Sequence, residues 1–542
     1  MSVDERVPAA PRTAAPPVSV PVCPRASRRT GAVVVIAPAL LTVALGLWGI
    51  RRQNSMWGDE AVTYQLAHRD LSQIWRTAQH VDLVHALHYA LMHEIFGLFG
   101  GGLMTLRLPS VLAMSVAAAG VGLLGLRLAG PRAGLMAGLL FPLLPQVQQY
   151  AQEGRSYALV CALVTWATYA LVTSAAQPAR WRWALYGSTM LLACLLHEFA
   201  VLALAAHAVT LITSRTPRPV RRAWTVTATC VVAGLLPLAI VSAGQSGQVA
   251  WIGRPPLVRL LGFLAMAAVG VACARAPLGV RGTLGVGAPL GARWALGVKA
   301  PLGARGALGA RGTLGGRGSV GLAALALPVL VLPGLLLLIA SPLKPLFVDR
   351  YVLYSSIGFA LLLGAWTDHF LRLRPSSRAV WVAAVVALAA LVPSSLHLRT
   401  PQARSTDVVA IGAAVGKEGR PGDGLLYLSG RHRVWTEANA QDTRFLTDLA
   451  LARDPVSSNT LAGIELPAQD IAARMLEFDR IVAVRAPADA HSPSDPREEA
   501  KASTLRRFFH EYGTTHVVGA RVTVYVRDPG LSPTAAPGSG RP

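Results

Sequence analysis

The chain has 542 residues, 53% of them hydrophobic and only 15% charged, with a mean hydropathy of +0.44. Its apolar residues come in runs of about 20, the length a helix needs to cross a bilayer, which excludes an ordinary soluble enzyme. The 51 Lys and Arg outnumber the 28 Asp and Glu, but they cluster between apolar runs as in cytoplasmic loops, so the excess is topological and no nucleic-acid partner is expected.

In chain order, residues 1–30 form a Pro- and Ala-rich stretch with a basic end, expected to be a disordered cytoplasmic tail. Spans are predicted near residues 32–50, 107–128, 133–149, 156–174, 225–243, 257–273, 320–340, 351–366 and 379–396. Between Arg180/Arg182 and the Arg215 to Arg222 cluster lies an apolar stretch interrupted by His197-Glu198. With both clusters on one side, it must cross twice, as a shallow hairpin of two short helices with His197 and Glu198 at its outer tip. The total is about eleven spans.

Residues 275–319 repeat a Leu-Gly-Arg hexad (APLGVR, APLGAR, GALGAR) and read as a low-complexity cytoplasmic loop without chemistry. Beyond Pro393 the apolar runs end and acids become common. Helices are predicted at 407–415, 467–478 and 497–510, strands at 424–428 and 480–484, and one or two strands at 516–526, a small α/β domain over 397–528. A Pro/Gly/Ser tail follows at 529–542. The five cysteines lack paired or metal-ligand spacing and read as packing residues.

If Arg127/Arg132, Arg180/Arg182, Arg215 to Arg222, Arg275 to Arg317 and Arg372 to Arg378 all lie inside, four polar segments share the outer face with the C-terminal region. These are SMWGDEA (55–61), the 146–155 loop, His197-Glu198 and 348–351. A carboxylate at a span centre costs about 2.5 to 3.5 kcal/mol, so Asp59 and Glu60 belong at a span end or in a water-filled cavity.

The outer segments carry the candidate chemistry. In HVDLVHALHYALMH, a helix would put Asp82, His85 and Tyr89 on one face at i, i+3 and i+7. In YAQEGRSYAL, Glu153 and Arg155 either pair with each other or contact a sugar hydroxyl and a phosphate, the latter suited to the guanidinium fork. In FVDRYVLY, Arg350 and Tyr351 open a late span, either as an interfacial belt or as contacts to an anionic lipid-linked substrate.

The acidic pair after the first span, the Asp82/His85 segment, RLPS (Arg107 to Ser110), YAQEGRSYAL and the Arg350-Tyr351 opening resemble the GT-C membrane glycosyltransferases. The match is to the family 39-like branch of protein O-mannosyltransferases and lipid A aminoarabinose transferases. It spans roughly residues 31–396. The resemblance implies an α-helical polytopic membrane protein with a small extracytoplasmic α/β domain. It would sit in the bacterial plasma membrane with its N-terminus cytoplasmic. It implies transfer of a sugar, mannose or another hexose or pentose, with inversion, from a polyprenyl-phosphate donor to a cell-envelope acceptor, a protein, lipid or polysaccharide, with membrane lipid as a further partner.

Asp59 would be the base or the ligand of a divalent cation (Mg or Mn), with Glu60 supporting it as the second catalytic carboxylate. Asp82, His85, Tyr89, Arg107, Glu153, Arg155, Tyr157, His197, Arg350 and Tyr351 would bind substrate. One departure is the absence of the proline pair that many relatives carry after the loop-helix His; here Ala86-Leu87 follows His85. The competing class is a transporter or flippase of lipid-linked sugars, which would place ionisable groups at mid-membrane and repeat its two halves.

Overall fold

The computed structural model describes residues 28–245, 253, 255–275, 320–343, 345–373, 378–487 and 495–530. Most of the predicted N-terminal tail, the hexad repeats and most of the C-terminal tail lie outside the described residues.

Six of the described helices are long and apolar enough to cross a membrane: Arg28–Asn54, Leu103–Ala129, Tyr157–Ala176, Arg218–Gly244, Leu257–Arg275 and Leu322–Ala340. Ser355–Leu373 and Arg378–His397 add two further long helices. The chain is an α-helical membrane protein with a small C-terminal sheet region.

One predicted crossing is a broken element, and the predicted hairpin is present. The 133–149 span divides into Pro131–Leu140, a 3-10 turn at Phe141–Leu143 and Pro145–Ala151, because Pro142 and Pro145 each remove an N–H from the helical ladder. The hairpin is two helices, Arg180–Leu196 and Leu202–Thr213, joined at an extended His197 (φ −165, ψ 114) and a 3-10 turn.

Helices in lipid gain little from hydrophobic exclusion, so small residues at their contacts let backbones approach. A Cβ on Gly134 would lie 2.4 Å from the Leu126 nitrogen, and one on Gly358 would lie 2.3 Å from the Ala326 oxygen. The resulting core joins Met114, Phe141, Tyr157, Tyr186, Leu325 and Ile357, all buried.

The C-terminal region folds into a five-stranded sheet with strands β1 (Gly424–Tyr427), β2 (Thr447–Asp448), β5 (Arg480–Arg485), β6 (Phe509–Val517) and β7 (Ala520–Arg527). A separate antiparallel pair is formed by β3 (Leu451–Arg453) and β4 (Ile464–Glu465). The order is β2-β1-β5-β7-β6, with β1 parallel to β2 and β5, and β7 antiparallel to both neighbours. The predicted 497–510 helix ends at Phe508, and His510 lies in a hairpin strand.

This region docks on the segment that carries the acidic pair. Val408 N donates to Met56 O (2.8 Å), Gly58 N to Thr406 Oγ1 (3.0 Å) and Arg69 Nη2 to Thr460 O (2.9 Å). Met56, Ala61, Met92 and Leu106 share one apolar cluster with Val408, Ile411, Trp435 and Val482.

Candidate active site

At the end of the first span, Arg52, Gln53 and Asn54 all adopt positive φ (44°, 54° and 66°), a conformation that non-glycine residues resist. The reversal is held from inside. Arg52 is fully buried and its Nη2 lies 2.7 Å from Glu60 Oε2 and 3.1 Å from Gln152 O.

Glu60 is at the centre of a buried ion layer. Arg107 meets it with two bonds, Nε to Oε1 and Nη2 to Oε2, both 2.7 Å, the bidentate geometry that a guanidinium favours. Gly154 N donates to Oε1 (3.1 Å) and Trp57 N to Oε2 (3.3 Å), so that Glu60, at the third position of the Gly58–Ala67 helix, reaches back to the N–H of the residue before that helix. Arg107 spends its remaining donors on Ile50 O and Ser55 O, 2.6 Å each. Burial opposes ionisation of Glu60, but Arg107 and Arg52 outweigh it and hold the carboxyl well below the usual range.

Glu153 completes this layer. Its Oε1 is 2.9 Å from Arg404 Nε, which arrives from the linker to the sheet region, and Arg404 Nη2 donates to Gln149 O (3.2 Å). Burial raises the Glu153 pKa against the pull of Arg404. Gly154 must be glycine here, because a Cβ would lie 2.4 Å from Leu106 Cγ.

Asp59, one residue before Glu60, points the other way. Its side chain is 34% exposed and its Oδ2 lies 3.4 Å from Arg350 Nη2. Arg350 is 12% exposed, and its guanidinium carbon stands 5.5 Å from the Trp57 ring centroid, 5.7 Å from Tyr157 and 5.8 Å from Tyr351. Three aromatic faces fix the plane of this cation while one edge meets Asp59.

Arg155 fills the space behind. Its Nη1 donates to Tyr89 OH (2.9 Å), Thr63 Oγ1 (3.4 Å) and Asp59 O (3.4 Å), and its Nη2 is 3.8 Å from Asp82 Oδ2. Asp82 accepts from Tyr89 OH and from His85 Nδ1 (2.7 Å). His85 Nε2 stands 3.2 Å from Arg155 Nη2. These partners assign the neutral tautomer, with Nδ1–H on Asp82 and the Nε2 lone pair facing Arg155. Burial, then Arg155, lowers the His85 pKa accordingly. Burial works against the Asp82 carboxylate, but the hydrogen bonds from His85 and Tyr89 and the charge of Arg155 hold its pKa below the usual value. His197 closes the cluster with its ring 5.6 Å from His85, 5.5 Å from Tyr157 and 4.8 Å from Tyr351, which stacks on Phe199 at 5.1 Å.

Of the sequence candidates, Asp59, Asp82, His85, Tyr89, Arg155, Tyr157, His197, Arg350 and Tyr351 therefore converge, while Glu60, Arg107 and Glu153 do not reach that surface. Glu60 is corrected from a catalytic group to a buried counter-ion, and Arg107 and Glu153 from substrate contacts to its neighbours. All three are at most 1% exposed, with their charge taken up by protein groups. Tyr89, at 0% exposure, supports the cluster from inside rather than touching substrate. Asp82 is not on a helix face: it takes a left-handed turn (φ 59) before a 3-10 turn at Leu83–His85, and that bend brings its carboxylate to His85 and Tyr89. Glu153 and Arg155 do not pair.

Sequence reasoning missed Arg52, Thr63 and Arg404. Arg52 sits in a basic pair at a span end, where a buried counter-ion and a topological charge give the same pattern. Trp57, quoted with the acidic pair, gains its role only through Arg350. A cavity lined by Gln146, Arg259, Phe263, Phe347, Asp349 and Ser355 lies beside the Arg350 turn. Among the described residues no three His, Cys, Asp or Glu side chains gather as metal ligands.

The dolichyl-phosphate-mannose-protein mannosyltransferase family matches residues 83–242, from just after Asp82 nearly to the end of the Arg218–Gly244 helix. ArnT from Cupriavidus metallidurans bound to undecaprenyl phosphate is similar over 91% of this chain and 98% of its own, at 13% identity and a TM-score of 0.52. Its apo state aligns at 0.53 and 14% identity, over 92% and 98%. The chain has the GT-C fold. The archaeal oligosaccharyltransferase AglB from Archaeoglobus fulgidus aligns more loosely, at a TM-score of 0.43 and 13% identity over 93% of this chain and 75% of its own. No curated protein sequence matches. Within the GT-C fold, the Asp59 segment, the 150–157 junction, His197 and the Arg350 turn come from four separate stretches of chain, and the bundle assembles them at one end.

Proposed function

We propose that this chain is a membrane glycosyltransferase that moves a sugar, a hexose or pentose such as mannose, from a polyprenyl-phosphate donor to a cell-envelope acceptor at the outer face of the bacterial plasma membrane. The observation that carries the reading is the half-exposed Asp59 carboxylate 3.4 Å from an aromatic-caged Arg350. The undecaprenyl phosphate bound to the structurally similar ArnT supports a donor of this class. The N-terminus is assigned to the cytoplasm and the sheet region to the outside, on the positive-inside distribution of Arg.

An acceptor hydroxyl beside Asp59 gives its proton to the carboxylate as its oxygen bonds the anomeric carbon from the face opposite the phosphate. The bond from that carbon to the phosphate oxygen breaks, its electrons stay on the phosphate, and the configuration inverts. General-base assistance contributes about 10² to 10⁴-fold. Arg350 offers the leaving phosphate a positive charge already oriented before reaction, and Arg155 adds positive potential behind it. His85, with its lone pair on Arg155, is a positioning group. A divalent cation at Asp59 would need the donor phosphate and water to complete its coordination; transfer measured with and without EDTA tests that role.

Membranes containing the wild-type chain are expected to transfer sugar from a labelled polyprenyl-phosphate donor, and Asp59→Asn membranes to lose that transfer. Full activity in Asp59→Asn would refute the assignment of Asp59. Movement of the donor across vesicles without glycosyl transfer would establish a flippase instead.

A further inference from the structure

The Arg180–Leu196 and Arg218–Gly244 helices lie side by side and parallel: a Cβ on Gly187 would lie 2.7 Å from Thr227 Cγ2, and one on Gly234 would lie 3.0 Å from Leu191 Cδ1. Between them runs a groove of about 860 Å³ with Arg180 and Arg222 at one end and Leu191 and Val231 toward the other. The eleven helical rises from Arg180 to Leu191 make about 17 Å, close to one leaflet of a hydrocarbon core about 30 Å thick.

Among the described residues the charged end has no carboxylate paired with it. Between Glu153 and Asp349 the sequence holds one carboxylate, Glu198, and it sits past the far end of the Arg180–Leu196 helix, bonded to Ser242. Among the described residues none of Arg180, Arg182, Arg215, Arg218, Arg221 and Arg222 enters an ion pair. Trp181, 64% exposed, lies at this end with Arg182 over its ring at 5.2 Å, as a residue at headgroup level does. A 17-residue helix, about 25 Å long, separates this end from His197 and the Asp59 cluster.

We propose that this groove holds an anionic phospholipid of the leaflet opposite the Asp59 site, its phosphate at Arg180 and Arg222 and an acyl chain lying toward Leu191 and Val231. Apolar walls one leaflet deep fit the chain, and arginines outside every ion pair of the described residues fit the headgroup. The occupant is distinct from the proposed sugar donor, because its charge is held at the other end of the bundle.

The test uses the full chain purified in mild detergent, incubated with phosphatidylglycerol or phosphatidylcholine and read by native mass spectrometry. The expected result is selective retention of phosphatidylglycerol, unaffected by millimolar inorganic phosphate. Retention should fall about thirty-fold in the Arg180→Gln/Arg222→Gln double variant, at the strength expected for two basic groups near an anionic lipid. Arg180→Lys/Arg222→Lys should keep most of it. Ala184→Trp, which fills the groove and leaves both arginines, should abolish it. Thermal melting in detergent identifies any variant that fails to fold, and the Lys pair and Ala184→Trp then still decide the matter. Equal retention of the two lipids, or Ala184→Trp binding like wild type, would overturn the proposal, as would displacement by inorganic phosphate, which would indicate a free-anion site.

Discussion

Asp59 and Glu60 are adjacent in sequence and opposite in environment. Successive residues of a helix point about 100° apart, so the first turn of the Gly58–Ala67 helix sends one carboxylate toward Arg350 with part of its surface open and the other into the protein. Asp59 keeps a third of its side-chain surface open beside Arg350, whereas Glu60 is sealed between Arg52 and Arg107. The buried layer fixes the loop reversal, Gly154 and the first helical turn. A carboxylate that must exchange a proton needs an accessible face, and one that must hold a fold needs saturated partners.

The largest expected effect separates the two layers by activity. Asp59→Asn should lower sugar transfer by about 10² to 10⁴-fold with an unchanged melting temperature, measured on the same purified sample. Glu60→Gln should do the reverse, leaving Arg52 and Arg107 as uncompensated buried charges. That loss is about 3 to 5 kcal/mol of stability, seen as lower membrane yield and melting temperature. Equal loss of stability in both variants would erase the distinction.

Arg350→Lys keeps the charge but loses the planar fork and its stacking, so transfer should fall about 10 to 100-fold, the range for hydrogen bonds to charged groups, mainly through KM for the donor. Acid should expose the buried layer. Glu60 has a folded pKa held below its ordinary 4.5. Its contribution is complete above that value and is lost as pH falls through the lower folded value. Wild-type melting temperature should therefore decline as pH drops below about 4.5, and Glu60→Gln should flatten that decline. The smallest effect is Thr406→Val, which removes the acceptor of Gly58 N and should cost about 1 kcal/mol, measured by thermal unfolding.

Much of the architecture was readable because membrane helices obey one-dimensional rules. Apolar length located the long helices, and Arg clusters grouped SMWGDEA, 146–155, His197-Glu198 and 348–351 on one face, where parts of all four meet. Local chemistry misled where proline divided the 133–149 run and where the 497–510 helix gave way to a strand at Phe509. Gly154, the Arg52 reversal and the left-handed Asp82 carry their meaning only in contacts with distant residues.

The sequence by itself determined that the chain is a membrane protein and where its long apolar helices lie, and its charge asymmetry grouped the segments of Asp59, Arg155 and Arg350 at one end of the bundle. Hydropathy and charge asymmetry act residue by residue, whatever the tertiary partners. Only the tertiary structure decided which carboxylate of the adjacent pair is accessible, that Glu153 turns to Arg404 and Arg155 to Asp82 and Tyr89, and that the C-terminal sheet region clamps the acidic segment. Burial and ion pairing depend on groups that arrive from elsewhere in the chain, and no local pattern records their arrival.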